Sequence, residues 1–173
     1  MKKVISIILT FLIIIVLILM QSNILNNIPL YGIIPNLGIV FISIIGILSG
    51  EKVGALVGAT YGLLADCYFE RTVGLYFGLF ILLGYIAGKV QNKIAKDNRW
   101  GYIVLIVVAT IIFELIRFNL GLIFLHYEFE LLYLIKVIVI EIVYNMFLTF
   151  IFYRPFMFWG DVLNRSRKGY YEY

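Results

Sequence analysis

Cysteine occurs once in this chain, at Cys67, and histidine once, at His126. A lone cysteine cannot close a disulfide within the chain, and one cysteine with one histidine cannot build a His/Cys metal cage. Charge is scarce too: Asp, Glu, Lys and Arg make up 14% of the 173 residues, where roughly 25% is usual for a soluble domain. Hydrophobic residues supply 63%. That leaves too little polar surface to cover a soluble globule, so the chain belongs in a bilayer. There is no linker, low-complexity tract or soluble domain, and nothing calls for a metal or another cofactor.

What is present is a series of apolar runs. Cutting at charged and turn-forming residues gives six, about 4–20, 33–49, 53–68, 74–92, 101–123 and 131–153. Most have the roughly 17 to 25 residues that a spanning helix needs. The reading is a single all-α polytopic membrane domain, 1–173, of about six transmembrane helices. The third run is the short one, expected at an irregular depth. The first run follows Lys2 and Lys3 as a secretory leader would. It is long for that role, and MQSNILNN offers no small-x-small cleavage site, so it is read as a retained anchor.

The basic residues set the orientation. Eleven of the fourteen, Lys2, Lys3, Lys52, Lys89, Lys93, Lys96, Arg99, Arg154, Arg165, Arg167 and Lys168, fall in the even-numbered connections and the two termini. The other three connections hold only Arg71. By the positive-inside rule both termini are expected in the cytoplasm. Trp100, Tyr102 and the run Tyr153 to Trp159 sit where interfacial aromatic belts belong, and Pro155 is expected to stop the last helix. The net charge of +4 then expresses topology and attraction to anionic lipid, with no need for nucleic acid.

Within GEKVGALVGATYGLLAD (50–66), glycine recurs at Gly50, Gly54, Gly58 and Gly62, one step after Gly46. Helices in lipid gain nothing by hiding apolar surface from one another, so they associate through close backbone contact, which rows of small residues permit. Each four-residue step turns the helix roughly 40° past a full turn. Gly54, Gly58 and Gly62 therefore form one slanting groove, widened by Ala55 and Ala59. Gly74, Gly78, Gly84 and Gly88 give the fourth helix a second, less regular set, while Gly46 and Gly50 belong to the end of the second helix and the turn at Glu51-Lys52. The groove serves internal packing, or else receives a lipid or a partner helix.

The same stretch closes on Asp66, one of five ionisable residues in the central or outer parts of the spans. The others are Glu114, Arg117, Lys136 and Glu141. A carboxylate in hydrocarbon costs a few kcal/mol at least unless paired, hydrated or protonated. Glu114 and Arg117, three apart, share a helical face and can pair locally. Lys136 and Glu141, five apart, point to different neighbours. Asp66 is then expected to meet Arg117 and Lys136 across helix boundaries. Three roles stay open for the set: a clasp that fixes helix order, a ligand pocket or partner-contact site, or a path for ions or protons.

Enzymatic readings fare poorly. Intramembrane proteolysis by paired aspartates needs a second Asp on a facing span, and Asp66 is the only one within the six runs. A Ser/His dyad has only His126, in an outer connection beside Tyr127 and Glu128, where it reads as a solvated residue. No D-x-x-x-D pair, glycine-rich phosphate loop or cysteine cluster occurs. Cys67 reads as an inert small apolar residue.

PNLGIVFISIIGILSGEKVGALVGATYGLLADCYFERTVGLYFGLFILLGYIAGKV (35–90) combines a Pro-Asn opening the second helix, Gly-x-x-x-Gly steps running to an Asp, then Leu-Gly, and a Gly-Tyr-x-x-Gly closing the fourth helix. In that order these motifs resemble the core of the rod shape-determining membrane protein family MreD, and length and span layout extend the resemblance to the whole chain. The turn YFERTVG (68–74) departs from it, carrying Glu70 and Arg71 where members more often have a glycine-rich, uncharged turn. The resemblance implies a non-enzymatic subunit of the bacterial cell-elongation machinery in the cytoplasmic membrane. It would bind a bitopic MreC-like protein and connect MreB filaments to the peptidoglycan polymerase and transpeptidase, with a homo-oligomer also compatible. It also implies similarity in fold to the substrate-binding subunits of energy-coupling-factor vitamin transporters. The rival function is thus a small-molecule uptake subunit with an outward-facing pocket. The short outer connections, with few side chains to enclose a polar vitamin, favour the scaffold.

Overall fold

A computed structural model describes residues 2–69, 74–91, 93–94, 98–124 and 130–168. Six α-helices stand on the six apolar runs: α1 (Lys2–Asn23), α2 (Leu37–Ser49), α3 (Glu51–Phe69), α4 (Leu75–Lys89), α5 (Arg99–Phe124) and α6 (Leu131–Lys168), with a 3-10 turn at Leu25–Asn27. Among the described residues there is no named β-strand, and the protein is an all-α membrane protein.

The helices are not equivalent. Stretches of α1, α5 and α6 are long and apolar enough to cross a membrane by themselves. At about 1.5 Å rise per residue, the 13 residues of α2 reach only about 20 Å, short of a hydrocarbon core of about 30 Å. All thirteen are buried. α2 is a central post that the other helices surround, so its length does not have to match the bilayer. Its start is held from two directions: the Asn36 side chain accepts from the Ile39 amide at 3.3 Å, and Gln21 Oε1 of α1 accepts from the Leu37 amide at 2.9 Å.

The connection before α2 folds into a miniature hairpin in which Leu30 and Ile33 exchange both backbone hydrogen bonds, at 3.1 and 3.0 Å. The two residues between them, Tyr31 (φ 52°) and Gly32 (φ 84°), are left-handed, as a tight type I′ turn requires. Tyr144 of α6 secures this connection by donating its hydroxyl to the Ile28 carbonyl at 2.7 Å.

Two expectations about the helices need correction. Pro155 does not stop the last helix: α6 runs on to Lys168 with the proline inside it. A proline's missing N–H is tolerated in membrane helices where neighbours pack around the break. Here Phe156 meets Phe41 edge-on at 5.0 Å, Gly160 lies against Leu48, and Trp159 Nε1 donates to Thr10 Oγ1 at 3.2 Å. Nor do all the glycines of the fourth helix form a packing set. Gly78 is exposed and faces open space. Gly74 also has open space around it and lies before α4 with φ 114°, a left-handed conformation that most side chains resist.

The remaining glycines join three helices. A side chain added at Gly54 or Gly58 would strike the α4 backbone carbonyl of Gly84 or Phe80, and one added at Gly62 would come within 2.6 Å of Phe77 Cα. From the other side, Gly84 meets the Gly54 carbonyl and Gly88 meets the Glu51 backbone. Gly46 of α2 enters the same junction, its missing side chain 2.9 Å from the Gly84 carbonyl oxygen. The slanting groove on α3 therefore faces α4 in backbone-to-backbone contact. Gly50 (φ 88°) makes the turn that lets α3 follow α2 directly.

Candidate functional site

Asp66 is wholly buried near the end of α3. Its Oδ2 accepts from the backbone N–H groups of Gly74 (2.8 Å) and Phe77 (2.9 Å), and its Oδ1 accepts from that of Tyr76 (2.8 Å). A helix start leaves its first amides without partners inside the helix and carries a partial positive charge. Gly74, at the N-cap position just before α4, has no side chain to cap it. The carboxylate of the preceding helix supplies that cap. The expected contacts of Asp66 with Arg117 and Lys136 are thus replaced by three amides, and the buried charge is compensated by a helix terminus.

Arg117 turns instead to Glu114, one helical turn earlier. Its Nε lies 3.1 and 3.0 Å from the two carboxylate oxygens, and its Nη2 lies 2.7 Å from Oε2. Such a forked, charge-assisted contact is stronger than a single hydrogen bond between neutral groups. Glu141, buried on α6, lines the same cavity as the pair. Lys136 stands apart and exposed, its Nζ 5.7 Å from the centroid of the Tyr31 ring. Of the five ionisable residues, then, three converge, one caps a helix and one lies at the rim.

Below this cluster runs a polar chain. Asn145 Oδ1 accepts from the Asn36 amide at the start of α2, and Asn145 Nδ2 donates to Thr110 Oγ1 of α5, each at 3.0 Å. Asn145 and Thr110 are fully buried. One side chain thereby fastens α2, α5 and α6 at a single level.

Above the cluster is a cavity of about 530 Å³, at the end of the bundle where α1 leads to α2, α3 to α4 and α5 to α6. Its lining includes Glu114, Arg117 and Glu141, the aromatic residues Tyr61, Tyr76 and Phe80, and Tyr133. The aromatic residues pack on one another: Tyr76 stacks with Phe80 (5.7 Å, 18°) and with Phe113 (6.1 Å, 25°), while Tyr61 meets Phe80 edge-on at 5.0 Å. A smaller, apolar depression of about 150 Å³ lies between α4 and α5. Among the described residues, no group of three or more His, Cys, Asp or Glu is placed to hold a metal.

The family model of the rod shape-determining protein MreD matches residues 1–164. The chain belongs to the MreD family. Its role is therefore in rod shape determination, as a structural protein of the inner membrane within the MreBCD shape system. No curated protein and no solved structure matches the chain, so the expected likeness in fold to energy-coupling-factor substrate-binding subunits has no structural match to stand on.

In this MreD chain the motif stretch 35–90 is α2, α3 and α4, the part welded by glycine contacts and closed by the Asp66 cap. Glu70 and Arg71 of the unusual turn, and His126 with Glu128, lie outside the described residues. The sequence reading passed over Asn145 and Thr110. Their signal was spacing: Thr110 and Glu114 are four apart on α5, Glu141 and Asn145 four apart on α6, so each pair shares a helical face.

Proposed function

We propose that the chain is a non-enzymatic scaffold subunit of the cell-elongation machinery. It binds a bitopic MreC-like protein and through it links cytoplasmic MreB filaments to peptidoglycan polymerase and transpeptidase. The observation that carries this reading is the family match over nearly the whole chain. The use of the interior polar groups supports it, since Asp66 holds a helix start, Glu114 holds Arg117, and Asn145 ties three helices. These are the marks of a rigid platform whose dealings with partners take place on its lipid-facing and membrane-surface sides.

The test is purification of the tagged full-length protein in mild detergent from its own membranes. A single-span MreC-like protein should come with it in constant proportion, and depletion should round the cells. Purification without any single-span partner would overturn the reading. The cavity favours one rival, a substrate-binding subunit of a vitamin transporter, which predicts loss of vitamin uptake on depletion while cells stay rod-shaped.

A further inference from the structure

The apolar depression between α4 and α5, about 150 Å³, has no part in the scaffold reading. Its floor includes the buried Ala87 and Ala109, and its rim is formed by Leu82, Ile86, Val108 and Ile112, each close to half-exposed. The lining runs from Val90 to Leu79 on α4 and from Leu105 to Ile116 on α5. At about 1.5 Å per residue either wall is about 16 Å long. A hydrocarbon core is about 30 Å thick, so the trough is as long as one leaflet is deep. All its lining side chains are apolar, so it offers water too few partners to hold it. Left unfilled, it would forfeit dispersion contacts along both walls. A lipid acyl chain has the chemistry to fill it.

What selects among lipids is the end of the trough. Val90 closes the α4 wall. Lys89 stands beside it, three residues after the rim residue Ile86 and so on the same side of α4. The Lys93 amide donates to the Val90 carbonyl at 3.0 Å, which holds the second lysine at the same end. Ile94 then lies against Gly101, so the chain crosses to α5 directly below the trough. Both lysines are exposed, and among the described residues neither forms an ion pair. From Lys89 to Trp100 the sequence carries four basic residues and one acidic. Trp100, 75% exposed, marks the headgroup level there. Basic pockets between membrane helices hold the headgroups of anionic lipids.

From this juxtaposition we infer that the α4–α5 trough is a binding site for one anionic phospholipid. An acyl chain lies in the trough, and the phosphate headgroup rests on Lys89 and Lys93.

The test uses the full-length protein in dodecyl maltoside micelles, with its melting temperature as readout. The probes are dioleoyl phosphatidylglycerol and, at the same mole fraction, dioleoyl phosphatidylcholine, which has the same chains and no net charge. Phosphatidylglycerol should raise the melting temperature by several degrees more than phosphatidylcholine does. Lys89→Gln with Lys93→Gln should remove that difference, and Val108→Trp, which lays a ring across the rim, should remove the gain itself. The lysine pair alters only exposed side chains, so it decides the matter even if the filled variant fails to fold. Lys2→Gln with Lys3→Gln takes two charges from α1, which packs on α2, α3 and α6 and, among the described residues, on neither α4 nor α5; the difference should survive there. Equal gains from the two lipids would mean a surface blind to the headgroup. Loss of the difference in both lysine pairs would mean attraction spread over the whole basic end. Either result overturns the inference, as does an undiminished difference in Lys89→Gln with Lys93→Gln or a full gain in folded Val108→Trp. None of these readouts involves a protein partner, so failure here leaves the copurification test untouched.

Discussion

Asp66 accepts from three backbone amides at once, and this decides what its removal does. Asp66→Ala leaves three buried donors at the start of α4 without a partner. The cost is expected to be about 3 kcal/mol, since a buried unsatisfied group costs ~1–3 kcal/mol and a charged acceptor serves several here. Asp66→Asn keeps one acceptor oxygen and should lie between. Because Asp66 is held by backbone amides and neither Arg117 nor Lys136 is bonded to it, Asp66→Asn combined with Arg117→Gln or Lys136→Gln should give losses that add to within ~0.5 kcal/mol. Rescue of either pair in detergent melting curves would restore the cation clasp. Glu114 and Glu141 should differ in the same assay. Glu114→Gln removes the carboxylate bonded to Arg117, whose side chain is about a third exposed, and is expected to cost ~1–3 kcal/mol, whereas Glu141→Gln leaves that pair in place and should cost less. The local Glu114–Arg117 pair was legible in their spacing. The partner of Asp66 was not, because a helix terminus is a property of the backbone that no residue type announces.

At the scale of elements, the glycine junction of α2, α3 and α4 makes a prediction with an internal control. Gly58→Leu drives a side chain into the Phe80 carbonyl, and overpacking of this kind costs about 1–3 kcal/mol. Gly78→Leu, on a facing helix but in open space, should be tolerated, as leucine favours helix over glycine by roughly 0.5–1 kcal/mol. Equal melting losses in the two variants would show that the glycines are not what brings the helices together. The six helices were legible because each is an apolar run between charged breaks. The burial of α2 from lipid on every side was not, since the protein interior and the hydrocarbon core both accept the same Ile, Leu and Val. The length of α6 was hidden by Pro155, whose cost as a helix breaker is offset by packing on Phe41, Leu48 and Thr10, contacts that lie far away in the sequence.

For the whole molecule, the question is which side of the membrane the cavity faces. Gln21 of α1, Tyr61 of α3, Tyr76 of α4 and Tyr133 of α6 all line it, so it opens at the end of the bundle that holds the odd-numbered connections. The opposite end carries the basic residues, including Lys52, Lys89, Lys93 and Arg99; Lys89 lies 4.6 Å from the Tyr85 ring and Arg99 5.5 Å from that of Tyr153. Short connections with excess Lys and Arg stay in the cytoplasm. Their side chains also lie near anionic lipid there, an attraction of about 1 kcal/mol each. Reporter fusions at Asn26, Arg71 and Glu128 should therefore read as extracytoplasmic, and fusions at Lys96 and Tyr173 as cytoplasmic. That result would open the cavity to the outer face. A cytoplasmic reading at Arg71 with an external one at Lys96 would invert the bundle and turn the cavity toward the cytoplasm.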